Sequence, residues 1–119
     1  MDKAGMKCIS THVLDLVRGK PAADVPARLE RQDPAGGWRI VTSARTDQEG
    51  RCPQLLPEGG DIPAGVYRLI FDTASYFAQQ KMVALYPVVE ITFQVQAGES
   101  YFHIPLLLSP YGYTTYRGS

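Results

Sequence analysis

Apolar residues recur at every second position over much of this chain. The clearest run is residues 89–95, where Val89, Ile91, Phe93 and Val95 alternate with Glu90, Thr92 and Gln94, the period of a strand with one buried face. Residues 8–16, 25–31, 38–46, 66–72, 101–108 and 113–117 also read as strands. They are separated by Gly19-Lys20-Pro21, by Pro34-Ala35-Gly36-Gly37 and by a long loop over 52–65, all rich in turn-forming residues. Ala97-Gly98-Glu99-Ser100 is predicted to fold 101–108 back on 89–95 as a hairpin, and Pro110 with Gly112 to turn the chain again into 113–117. Residues 73–81 lack the alternation and predict one short helix, with Asp72 or Thr73 as its N-cap. About seven strands with no internal repeat favour an all-β sandwich over a barrel.

Strand 101–108 adds a second expectation. Phe102, Ile104, Leu106 and Leu108 share one face, and Tyr101, His103, Pro105 and Leu107 share the other, so neither face is properly polar. An apolar outer face in a small sandwich predicts a cover, and another copy of the chain is the simplest one.

Length and charge narrow the partners. A chain of 119 residues fits a single domain over residues 1–119. Lysine plus arginine balance aspartate plus glutamate at 12 each, so no net field recruits nucleic acid or an acidic membrane, and a small-molecule partner is expected. Cys8 and Cys52 are the two cysteines; a core of this size needs no disulfide, and reduced thiols are expected. No secretory pattern follows Asp2 and Lys3, and no apolar run approaches a membrane span, which predicts a cytoplasmic protein.

His12 and His103 are the two histidines. Alternation places His103 opposite Phe102 and Ile104, and His12 with Ser10 and Leu14, opposite Ile9, Thr11 and Val13. Periodicity alone does not separate a shared external groove from two unrelated surface positions. Titrating near neutrality, such a pair suits general acid and base work on water attack at a carbonyl. Two histidines without a further close ligand make a poor zinc set, so neither metal nor cofactor is expected. There is no Gly-x-Ser-x-Gly elbow, and Gly36-Gly37 and Gly59-Gly60 are turn glycines without a phosphate-loop context. Arg51 ends the polar turn Thr46-Asp47-Gln48-Glu49-Gly50-Arg51; it is either a solvated turn residue or a planar donor fork for a planar substrate.

Three segments together resemble the transthyretin-like hydrolases: Ser10-Thr11-His12-Val13-Leu14-Asp15, the turn ending at Arg51, and Phe102-His103-Ile104-Pro105-Leu106-Leu107-Leu108-Ser109-Pro110 running on to Tyr116-Arg117-Gly118-Ser119. The terminal tetrapeptide separates the hydrolases of this family from its hormone-carrying transthyretins. Asp72-Thr73 with Tyr76-Phe77, and Tyr86-Pro87 leading into Glu90-Ile91-Thr92-Phe93, agree as well.

The resemblance implies a transthyretin-like (prealbumin-like) β-sandwich of seven to eight strands, assembled as a homotetramer with sites at the subunit interface. It implies hydrolysis of 5-hydroxyisourate, a urate-oxidation product, to 2-oxo-4-hydroxy-4-carboxy-5-ureidoimidazoline, without cofactor. Carried over by position, the polar site falls on His12, Arg51, His103, Tyr116 and Ser119. Water would be the nucleophile, the histidines its acid and base, and Arg51 the holder of the substrate and its developing charge, with Tyr116 and Ser119 in contact and Arg117 and Gly118 holding the tail. Asp47 and Glu49 stand where the family customarily has Asn and Asp. A sandwich that binds an aromatic ligand without turning it over is the other reading, and the complete tail speaks against it.

Overall fold

The computed structural model describes residues 7–57 and 62–119; the Gly59-Gly60 turn and the middle of the 52–65 loop lie outside the described residues. Among the described residues there are nine strands and one helix: β1 (Cys8–Asp15), β2 (Lys20–Pro21), β3 (Pro26–Gln32), β4 (Trp38–Arg45), β5 (Arg51–Cys52), β6 (Gly65–Phe71), α1 (Thr73–Gln79), β7 (Val89–Val95), β8 (Tyr101–Ser109) and β9 (Gly112–Thr115). They form two sheets. One runs β2-β1-β8-β9 with β5 also on β1; the other runs β4-β3-β6-β7. The short strands β2 and β5 share one edge of β1, pairing at Leu14–Asp15 and at Thr11–His12 respectively. These are the layers of an all-β sandwich, as the alternation predicts.

Its core lies between the sheets, where every second residue of each strand points inward. Ile9 and Val13 of β1, Leu29 of β3, Leu69 and Phe71 of β6, Val89 of β7 and Leu106 of β8 have no solvent exposure. Each such side chain contributes about 1.5–3 kcal/mol on leaving water.

The predicted hairpin between 89–95 and 101–108 does not form. Strand β7 pairs with β6 alone, at the edge of its sheet, whereas β8 pairs in parallel with β1 and antiparallel with β9. The turn at Gly98, with φ of +86°, therefore carries the chain from one sheet to the other. A period of two tells which face is buried and not which strand lies alongside. The β8–β9 hairpin forms as expected, but the regular strand stops at Thr115, short of residue 117.

Helix α1 follows its sequence signal. Asp72 is the N-cap, its Oδ1 accepting from Ser75 N–H at 3.0 Å and its Oδ2 from the Ser75 hydroxyl at 2.6 Å. One buried polar knot ties the helix to the histidine-bearing strand. Asp15, only 2 % exposed, accepts from Val17 N–H at 2.9 Å, from Arg18 N–H at 3.1 Å and from the Tyr76 hydroxyl at 2.5 Å. Burial first, and then the bond to Asp15, push the Tyr76 phenol above its usual pKa, so it remains a donor. Both oxygens of the buried side chain are hydrogen-bonded, the condition for keeping a polar group inside.

Candidate active site

Strand registers bring three of the expected site residues onto one surface. In β1, Ile9, Thr11, Val13 and Asp15 are at most 2 % exposed and face the core, so Ser10, His12 and Leu14 face outward. Cys52 of β5 is buried and pairs with Thr11, which turns Arg51 outward beside its partner His12. On the other side of β1, Ser10 is opposite His103 and His12 opposite Pro105. Arg51, His12 and His103 thus share the outer face of three adjoining strands. The histidines are separated by one strand spacing and by two residues along it, about 5 and 7 Å respectively.

Backbone hydrogen bonds shape the Arg51 end. Asp47 Oδ1 accepts from Glu49 N–H and from Arg51 N–H, both at 2.9 Å, and Asp47 N–H donates to the Arg51 carbonyl at 2.9 Å. Those N–H groups hold the Asp47 carboxyl below its usual pKa, the Arg51 amide having the largest effect. Gly50 completes the turn with φ of +78°, and a Cβ there would strike the carbonyl oxygen of Val13. A glycine is required on both counts. The Arg51 side chain is 53 % exposed and lies 3.7 Å from Glu49 Oε2, a weak surface pair that leaves most of its donor fork to solvent.

Each histidine has an identifiable anchor. His12 Nε2 lies 2.8 Å from the Glu49 carbonyl oxygen. A carbonyl only accepts, so Nε2 carries the hydrogen, and Nδ1 holds the lone pair when the ring is neutral. His103 Nδ1 lies 2.8 Å from Ser10 Oγ.

The tail reaches the same surface in part. Gly118 forms an antiparallel bridge with His103, its N–H donating to the His103 carbonyl at 2.7 Å. The Ser119 carbonyl lies 3.5 Å from the Tyr101 hydroxyl. Arg117 is held on the start of β8 by Glu99 Oε2 at 3.1 Å, the Tyr101 carbonyl at 2.9 Å and the Phe102 ring at 4.4 Å. Tyr116, 54 % exposed, lines an opening of about 220 Å³ with Ile91, Phe93, Phe102 and Ile104; within the described residues its hydroxyl is not joined to either histidine. The structure therefore groups His12, Arg51 and His103, sets the Gly118–Ser119 end beside His103, and leaves Tyr116 at the sheet edge.

Ser10, Asp47 and Gly50 were not singled out as site residues by sequence. The turn chemistry of Asp47 and Gly50 was readable, whereas Ser10 becomes visible only through the parallel β1–β8 register. A wide concavity of about 700 Å³ lies instead on the outer face of the other sheet, between Arg28, Ser43, Arg45 and Asp72, and contains none of these groups. Among the described residues, no three His, Cys, Asp or Glu side chains gather as metal ligands do.

A two-sheet sandwich with histidines and an arginine on the outside of one sheet fits the transthyretin-like class that the sequence resembles. The HIUase/Transthyretin family model matches residues 9–118, and the chain belongs to that family. It is 43% identical over 116 residues to a 5-hydroxyisourate hydrolase of Salmonella typhi, covering 98% of this chain and 84% of that one. It is 43% identical over 112 residues to the 5-hydroxyisourate hydrolase of Mus musculus, covering 93% and 94%. Among solved structures, the 5-hydroxyisourate hydrolase of Klebsiella pneumoniae superposes with a TM-score of 0.83 at 33% identity, covering 96% of this chain and 100% of that one. Transthyretin from Sparus aurata gives 0.87 at 34%, covering 94% and 97%, so the backbone alone does not separate the two kinds of protein.

Proposed function

We propose that this chain is a 5-hydroxyisourate hydrolase acting in urate degradation, opening the six-membered ring of its substrate by water attack on the cyclic amide carbonyl. The observation that carries this reading is the grouping of His12, Arg51 and His103 on one outward surface, with the end of the tail bridged to His103. The curated relatives at 43% identity bear the same activity in their names.

The residue roles follow from chemistry. Water is the nucleophile, since the Ser10 hydroxyl beside His103 Nδ1 is only 7 % exposed and offers a substrate little access. The tautomer of His12 makes Nδ1 its proton acceptor, and His103 is the second member of the acid–base pair. Arg51 offers a planar fork to a planar, oxygen-rich ring, and stabilising charge on the attacked carbonyl oxygen is worth ~3 kcal/mol in such sites. Tyr116 and Ser119 complete the contacts once the site is enclosed.

Enclosure comes from a homotetramer in which a second copy covers the outer face of the β1–β8 sheet, with Leu14 and Leu107 side by side in the register there. The whole chain, residues 1–119, acts as one hydrolase domain, and we place it in the cytoplasm, where its two free, buried thiols would persist.

Urate and urate oxidase generate the substrate in a cuvette, and ultraviolet absorbance follows its decay. Addition of the protein should accelerate that decay well beyond the spontaneous rate. No acceleration at micromolar protein would defeat the enzyme reading and leave a binding module.

A further inference from the structure

His103 is gripped from two sides by residues with no role in the steps above. On one side is Ser10, directly opposite in the parallel register, with Oγ 2.8 Å from Nδ1. Ser10 is only 7 % exposed, so water competes little for that hydroxyl. On the other side is Gly118. Its N–H binds the His103 carbonyl at 2.7 Å, and a Cβ added to it would stand 2.6 Å from His103 Cδ2 and 3.4 Å from Cγ. Only a residue without a side chain can lie this close to the ring. A Cβ there would force the imidazole or the tail to move, since contacts under 3.0 Å are essentially never tolerated.

We propose that Ser10 and Gly118 form a clamp that fixes both the orientation and the tautomer of His103, with Ser10 acting as a positioning residue through Nδ1. The inference rests on the hydrolase reading. A histidine that exchanges its proton at Nε2 must keep a hydrogen on Nδ1 in both its neutral and its charged forms. The Ser10 oxygen accepts the Nδ1–H bond in both states, so the ring gains or loses its Nε2 proton without turning. Ser10 keeps its own hydrogen throughout, and no proton passes between it and the ring.

The arrangement also separates the two histidines chemically. His12 donates from Nε2 to a backbone carbonyl and exchanges at Nδ1. His103 donates from Nδ1 to a hydroxyl and exchanges at Nε2. An acid and a base of the same residue type are thereby given opposite tautomers by what each is anchored to.

Nitrogen-15 NMR of the full-length, histidine-labelled protein tests the tautomer directly. Neutral His103 should show the Nδ1–H form and neutral His12 the Nε2–H form; a wild-type His103 in the Nε2–H form overturns the proposal whatever the kinetics show. Ser10→Ala should lower kcat for 5-hydroxyisourate by about 10- to 100-fold, part of the usual acid–base contribution. KM should move less than about twofold, the His103 signals should shift to mixed tautomers, and the His12 signals should stay in place.

Ser10→Thr, which keeps the hydroxyl, should recover most of the rate. Gly118→Ala should disturb the His103 signals from the opposite side. Wild-type kcat and pH profile in Ser10→Ala overturn the clamp while leaving the hydrolase reading intact. An inert wild-type protein defeats the hydrolase reading, and the clamp's part in the reaction with it.

Discussion

Arg51 separates function from stability at the scale of one side chain. Its side chain is 53 % exposed and its pairing with Glu49 spans 3.7 Å, so Arg51→Lys should leave the unfolding midpoint nearly unchanged, surface pairs contributing about 0–1 kcal/mol. A lysine keeps the charge and loses the planar fork. We expect kcat/KM to fall about 10²- to 10³-fold, the loss typical of removing an oxyanion donor; a variant within twofold of wild type would remove Arg51 from the site.

Asp47 gives the turn beneath Arg51 a pH dependence. Its folded pKa lies below the ordinary 3.8 because the Arg51 and Glu49 amides bond its carboxylate. A depressed folded pKa contributes stability that is present above the ordinary value and is lost as pH falls through the folded one. In urea unfolding between pH 2 and 5, Asp47→Asn should keep the turn acceptor and flatten part of the acid limb. An unchanged acid limb would show that the carboxylate adds nothing the amide lacks.

Alternation points His12 and His103 outward because it reports which way a strand side chain faces, whereas Arg51 sits in a polar turn without a period, and only the family resemblance joins the three into one site. Ser10 was not legible, because its meaning depends on a contact 93 residues away, and no local period encodes that.

At the scale of elements, the helix was the most legible. Asp72-Thr73 without alternation predicts a capped start, and the structure places the cap on Asp72. Asp72→Ala should cost ~1 kcal/mol, lowering the melting temperature by about 3–5 °C for a domain of this size. Catalysis should survive, since Asp72 caps the exposed start of α1 and touches none of the site residues, while the bond between Tyr76 and Asp15 still ties the helix to the histidine strand. A calorimetric midpoint unchanged within error would mean that packing of Tyr76 and Phe77, each 1 % exposed, holds the helix without its cap.

The two-residue strands β2 and β5 left no periodic trace, yet β5 is what sets Arg51 beside His12. The missed sheet crossing has the same root. Residues 97–100 have turn chemistry equally suited to a hairpin and to a change of sheet, and β8 takes β1 and β9 as neighbours instead of β7. Partner choice is a tertiary outcome, decided by which faces the whole sandwich must bury.

For the whole molecule, the sequence carried one further message, that strand 101–108 is apolar on both faces. Leu107 and Leu14 stand side by side in the register on the outer side of the β1–β8 sheet, and both are only partly buried in the single chain. Their burial is what a second copy would complete, in the same region where the histidines need water excluded. Leu107→Asp places a charge in that contact while its inward neighbours Leu106 and Leu108, 0 and 1 % exposed, keep the core intact. We therefore expect the wild-type protein to sediment as a tetramer of the 13.1 kDa chain, and Leu107→Asp to sediment as smaller species with an unaltered far-ultraviolet circular dichroism spectrum. Activity should fall together with assembly, and raising the protein concentration should restore both in parallel, because mass action couples them. A dissociated variant that turns over 5-hydroxyisourate at the wild-type rate would show that one chain carries a complete site, and the closing role given to the neighbouring subunit would be wrong.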